Sequence, residues 1–156
     1  MMRTAAAAAA AALAVAACGG SSTPLNGPNT SSQFSACLAA PAAKPDGWPQ
    51  AKRPPKVVAP RLLEGHRTTG SVAIYPGDNV KAFLKQQQIG RVVAMFELCI
   101  DETGTPRKIE ILKSSCMKEY DDLITTTMSA WRYSPYQVDG EAVPICTAVN
   151  FIYNQN

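Results

Sequence analysis

The chain of 156 residues has little of what an enzyme or a nucleic-acid binder needs. It has one histidine, His66, held in the run GHRTTG outside any periodic segment, which suits a loop residue better than a general base. No HExxH, phosphate-binding glycine loop, GxSxG or zinc-type Cys/His spacing occurs. There is no CxxC, and no histidine is placed to activate a thiol. Asp121 and Asp122 are sequence neighbours at the start of a helical pattern, where carboxylates favour the helix dipole; adjacent helical positions do not face one another, so they are no catalytic pair. Catalysis, a cofactor and a metal are therefore not expected. Charge excludes a further class. Fifteen Lys and Arg against twelve Asp and Glu leave +3, interspersed along the chain, too little to argue for nucleic acid. No run of about 20 apolar residues is present to span a bilayer.

What is present begins with MMRTAAAAAAAALAVAACGG. A charged start at Arg3, an Ala-rich apolar run and small residues before a cleavage point describe a secretory signal peptide over residues 1–17. The ending Val15-Ala16-Ala17-Cys18 resembles the lipobox of bacterial lipoproteins, which implies lipidation of Cys18 as the new first residue. Gly19 behind it resembles lipoproteins sent to the outer membrane, so the expected location is the periplasmic face of that membrane, held by acyl chains. Residues 18–56 are rich in Gly, Ser, Pro and Ala and read as a flexible tether, although Cys37 and Trp48 suggest that it touches the folded part.

From residue 57 to 156 the composition is that of one small domain. Residues 78–88 carry Val80, Phe83 and Leu84 on one helical stripe, with Asp78 as a candidate N-cap. In RVVAMFELCID the even positions Val92, Ala94, Phe96, Leu98 and Ile100 are apolar, the mark of a strand with one core face. DETG, residues 101–104, turns the chain into a second strand over 107–113, with Ile109 and Ile111 toward the core. Tyr120, Leu123, Ile124, Thr127 and Trp131 recur at helical spacing, against the weak helix propensity of three consecutive threonines. Asp139-Gly140 makes a turn into VPICTAVNFIY, where Val143, Ile145, Val149, Phe151 and Tyr153 recur every second residue. The order is helix, strand, strand, helix, strand. A right-handed crossover makes the second and third strands parallel, with the first between them and antiparallel to both. The expected fold is α+β: a three-stranded mixed sheet, order 2-1-3, packed on two helices.

Four cysteines other than Cys18 test that register. Opposed residue numbers in an antiparallel pair have a constant sum, 245 if Cys99 faces Cys146. Leu98 then faces Thr147, Phe96 faces Val149, Ala94 faces Phe151 and Val92 faces Tyr153, so core-face residues meet core-face residues; a slip of one destroys the match. Opposed Cβ atoms about 4.5–5.5 Å apart lie close to disulfide reach, and export places the chain where disulfides persist. Cys99–Cys146 is thus the expected bond, against the alternative of two unpaired buried thiols. Cys37 and Cys116 remain, and a bond between them would pin the tether to the loop after the second strand.

The set Tyr75-Pro76, Gly90-x-Val92, Ile100-Asp101-x-x-Gly104, Lys113-Ser114-Ser115, Ala130-Trp131-Arg132-Tyr133-x-Pro135 and Gly140-x-x-Val143 leading to Phe151-x-Tyr153 resembles the TonB C-terminal domain over about residues 74–153. With its cysteines and lipobox, the chain resembles a cysteine-bearing lipoprotein branch of that family. Cys116 stands where the family often has Gly. The lipobox and short tether replace the inner-membrane helix and long spacer of a transducer, so the resemblance implies a periplasmic peptide-binding module, with transport as one use. It implies capture of an extended segment of an envelope or outer-membrane protein by strand addition. In the order 2-1-3 the last strand is an edge, and Thr147, Ala148, Val149, Asn150, Phe151 and Ile152 are the expected binding stretch. The alternative is a structural envelope lipoprotein that forms a homodimer through that edge. Trp131 and Tyr133 read as core. The outer sheet face, with Val93, Met95, Leu112, Ala148 and Ile152, is apolar enough to need a cover: the segment around Trp48, or a partner.

Overall fold

The computed structural model describes residues 31–155, so the expected signal peptide and the lipidation candidate Cys18 lie outside the described residues. In chain order the elements are α1 (Ser31–Ala39), β1 (Lys56–Val57), a 3-10 turn (Pro60–Leu62), β2 (Arg67–Thr69), α2 (Asp78–Gln86), β3 (Arg91–Ile100), β4 (Pro106–Lys113), α3 (Lys118–Ser129), β5 (Arg132–Tyr133), β6 (Gln137–Val138), β7 (Glu141–Ala142) and β8 (Ile145–Asn154).

The expectation of three strands on two helices is corrected. The main sheet has four strands, ordered β1-β8-β3-β4; the ribbons β2-β5 and β6-β7 stand apart from it, and the described residues form three helices. The extra pieces are short. β1 is two residues long and pairs parallel to β8 at Lys56↔Ile145 and Val57↔Cys146. Two residues carry no alternation for a sequence reading to detect.

The β3–β8 register is the one the cysteine arithmetic predicts, running from Arg91↔Asn154 through Phe96↔Val149 to Cys99↔Cys146. Cys99 and Cys146 are bonded, with Cα atoms 4.0 Å apart. Cys37 and Cys116 are bonded as well. The bonds link positions 47 and 79 residues apart, and in the chain-entropy account each restrains the unfolded chain by about 4 kcal/mol.

The core lies between the sheet and α2, α3 and α1. Phe96 and Phe151 meet edge-on at 5.7 Å between ring centroids, and Trp131 lies 6.3 Å from Phe151. α3 buries Tyr120, Ile124 and Met128, spaced four apart on one stripe. Its threonines are reconciled with the helix by back-bonding: Thr125 Oγ1 donates to the Asp121 carbonyl at 2.9 Å and Thr127 Oγ1 to that of Leu123 at 2.8 Å. Two details differ from expectation. Gly77 occupies the N-cap of α2 and Asp78 is its first helical residue, where the carboxylate meets the positive end of the helix. Ile111, expected toward the core, is 42% exposed on β4, the strand at the sheet edge.

Residues 31–56 of the expected tether are built onto the domain. Phe34 on α1 is 1% exposed and meets Phe83 of α2 edge-on at 5.3 Å. The chain then crosses the sheet face opposite the helices as a strap. Ala43 N–H donates to the Leu112 carbonyl on β4 at 2.6 Å, Gly47 N–H to Glu97 Oε1 on β3 at 3.0 Å, and Val58 N–H to the Cys146 carbonyl on β8 at 3.0 Å. Lys108 Nζ clamps the crossing: it donates to Glu97 Oε2 at 2.7 Å and the Gly47 carbonyl at 2.6 Å, reaches Glu110 at 2.6 Å, and pairs with Asp46. Burial alone would lower the Lys108 pKa; the hydrogen bonds it donates to Asp46, Glu110 and Glu97 outweigh this and hold it above the ordinary lysine value. Part of the apolar outer face is thus covered from within the chain.

Candidate functional site

β8 has two flanks, and the disulfide determines which backbone groups point to each. In an antiparallel pair, residues exchanging hydrogen bonds alternate with residues that do not, and the second kind sit closer. Cys99 and Cys146, with Cα atoms 4.0 Å apart, are a close, non-bonded pair, so the backbone groups of Cys146 point away from β3. The Val58 N–H on the Cys146 carbonyl lies on that outer flank. By the same alternation, the N–H and C=O of Ala148, Asn150 and Ile152 point outward, while Thr147, Val149 and Phe151 bond to β3. Beyond Cys146 no backbone group of the described residues bonds to this outer flank. Of the expected stretch, then, Ala148, Asn150 and Ile152 present the free backbone, and Thr147, Val149 and Phe151 supply side chains on the helix face.

Two connected hollows follow that flank. One, of about 500 Å³, is lined by Leu63, Arg67, Val72, Trp131, Thr147 and Val149 among others; the second, of about 270 Å³, by Ala73, Ile74, Tyr75, Tyr120, Phe151 and Ile152. Both include Val72, Val149 and Asn150, so they form one groove along the edge. Residues 60–75 form its far wall. Among the described residues, five of the seven exposed large hydrophobics belong to this wall or to β1 and β8: Val57, Leu62, Val72, Tyr75 and Ile152. Such clustering distinguishes a contact surface from scattered exposure.

Each wall segment is held by a named contact. The β2-β5 ribbon sets Arg67 opposite Tyr133 and Thr69 opposite Arg132, with an irregularity between them. Arg67 Nε donates to the Gly70 carbonyl at 3.1 Å, and its guanidinium lies 4.9 Å from the Trp131 ring centroid. Gly70 has φ +104°, and a Cβ there would come within 2.1 Å of Trp131 Cδ1 and 2.8 Å of Nε1, so only glycine fits against the indole. Farther along, the Tyr120 hydroxyl donates to the Ile74 carbonyl at 2.9 Å. Burial pushes the Tyr120 pKa up to about 12, which keeps it a donor. Burial also pushes the Tyr133 hydroxyl upward, against the lowering influence of Arg67.

Trp131 and Tyr133 are buried, as read from the sequence, yet both also line the groove. The sequence reading missed the wall: GHRTTG passed as a loop, because three residues of β2 show no period and their partner lies far along the chain. His66 is exposed, its ring 6.4 Å from that of Tyr136. Asp121 is buried, accepting from Ser114 Oγ at 2.5 Å and Ser115 N–H at 2.9 Å, which ties the end of β4 to α3. Among the described residues, two side-chain groups have the proximity to hold a metal. In one, Cys99 and Cys146 are consumed by their disulfide; in the other, Asp46, Glu97 and Glu110 surround the Lys108 ammonium. No protein-family model matches this chain, and no curated protein sequence matches it.

Proposed function

We propose that this chain is a lipid-anchored periplasmic module, TonB C-terminal-like, that binds an extended segment of an envelope or outer-membrane protein as an added strand along β8, in transport or envelope assembly. The observation that carries the reading is the row of outward backbone groups at Ala148, Asn150 and Ile152 beside an apolar groove. An unpaired row of N–H and C=O groups is a template for an extended peptide, and side-chain hollows next to it supply selectivity. The resemblance of the ordered motifs to the TonB C-terminal domain supports the same reading, and the lipobox ending at Cys18 supports the anchor. β1 stands in line with the guest and limits it to the part of β8 after Cys146. Eight residues of strand, 147–154, roughly 26 Å, remain for pairing.

Pull-down from solubilised envelopes with the full chain and with Asn150→Pro tests it. A membrane-protein partner retained by the first and lost with the second is the expected result. A concentration-dependent dimer in sedimentation, lost with the same variant and with no partner retained, favours the structural, self-associating alternative. Equal capture by both chains overturns binding through this edge.

A further inference from the structure

Among the described residues two buried side-chain polar atoms have no hydrogen-bond partner: Trp131 Nε1 and Thr147 Oγ1. Trp131 is 1% exposed and Thr147 3%, and both residues line the larger hollow of the groove. Leaving such a group unpaired costs about 1–3 kcal/mol, and native structures hold few of them. Here both belong to residues that line one hollow. The Gly70 backbone packs directly against the indole, where a Cβ would come within 2.8 Å of Nε1, and offers it no hydrogen bond.

We propose that the Trp131–Thr147 end of the groove is a subsite for a carboxamide side chain, Asn or Gln, carried by the guest strand. The inference rests on the strand-addition reading and specifies the guest's chemistry. The indole offers one N–H donor; the threonine hydroxyl can donate or accept. A carboxamide answers both, its oxygen accepting from the indole and its NH2 donating to the hydroxyl. A carboxylate lacks the second donor. The hollow carries one residue of each charge, Glu64 and Arg67, so no net field selects an ion. An aliphatic side chain would fill the space and leave both polar atoms unanswered. Guest side chains alternate between the faces of the sheet, so every second residue is directed to the helix side, where this hollow lies.

The probe is a set of heptapeptides, acetyl-Lys-Thr-Val-Xaa-Val-Thr-Lys-amide, with Xaa as Gln, Glu or Leu. Affinity for the full, disulfide-intact chain is read by fluorescence anisotropy, and the indole N–H resonances by NMR. The chain has two tryptophans, so Trp48→Phe assigns the Trp131 signal. The expected result is that the Gln peptide binds about five-fold or more tighter than the Leu peptide and shifts the Trp131 indole proton, as one or two satisfied hydrogen bonds would produce. Thr147→Val should melt no lower than the parent, since it removes an orphaned hydroxyl, yet cut the preference to about two-fold. Equal binding of all three peptides overturns the subsite and leaves strand addition standing. A Gln preference unchanged in Thr147→Val with an unmoved indole proton also overturns it, as does a Glu or Leu preference. Binding of no peptide overturns both readings.

Discussion

Two neighbouring proline substitutions should have opposite consequences. By the alternation derived from the Cys99–Cys146 pair, Val149 N–H points to β3 and Asn150 N–H points outward. Val149→Pro removes one ladder bond to Phe96 and leaves the Phe96 carbonyl unpaired; Phe96 is fully buried. The lost bond is worth about 0.5–1.5 kcal/mol and the stranded acceptor about 1–3, so the fold should lose about 2–4 kcal/mol. For a domain of this size that lowers the melting temperature by about 10 °C. Asn150→Pro removes no bond within the sheet, as proline at an edge permits, and should cost about 1 kcal/mol or less through backbone adjustment. Its ring projects into the flank where a guest would pair, so it should weaken guest binding about ten-fold or more while the fold persists. Thermal melts of both variants under non-reducing conditions, with peptide titration of Asn150→Pro, are the assay. If Asn150→Pro melts as low as Val149→Pro, the outward groups have been assigned to the wrong residues. If it melts high and binds peptide as the parent does, the edge is not the docking site.

The strap and the hairpin turn yield further expectations. Lys108→Met leaves the Glu97 carboxylate, 1% exposed, with the Gly47 N–H as its remaining strap contact. Breaking a buried pair costs about 3–5 kcal/mol, reduced here to about 2–3 because Lys108 reaches solvent; denaturant melts should show it, and faster amide exchange at Gly47 should accompany it. Glu97→Leu combined with Lys108→Met should recover most of that loss. At Asp101, burial acts to raise the pKa, but hydrogen bonds from Thr103, Thr105 and Arg107 outweigh it and hold the carboxyl below its ordinary value. A depressed folded pKa stabilises above the unfolded value near 3.9, and that stability is lost as pH falls through the folded value. Asp101→Asn should therefore flatten the acid limb of stability below about pH 4 and cost about 1–2 kcal/mol at neutral pH; melts across that range check both.

Legibility in the sequence followed the length of each pattern. β3 and β8 carry ten residues each, enough for alternation to mark a face and for one cysteine pair to pin the register. α3 was legible from its apolar spacing despite its threonines, whose hydroxyls found carbonyls one turn back. α1 was not: SSQFSACLA has a linker's composition, and Phe34 is buried only because Cys37–Cys116 and α2 bring a surface to it. Of the candidate site, the residues of the edge were named from the sequence. Their division into outward backbone and inward side chains needed the close Cα approach of Cys99 and Cys146.

By itself the sequence determined which segments could be long strands, which face of each is apolar, and that residue 99 opposes residue 146, because a period of two and a covalent pair are local rules applied at a distance. The tertiary structure alone decided that residues 43–58 cross the outer face to become a fourth strand, and that the wall from 60 to 75 stands beside β8 with an indole and a hydroxyl unanswered beneath it. Those outcomes depend on pairings of two or three residues across long loops, where neither periodicity nor propensity carries a signal and only the shape of the assembled surface selects the partner.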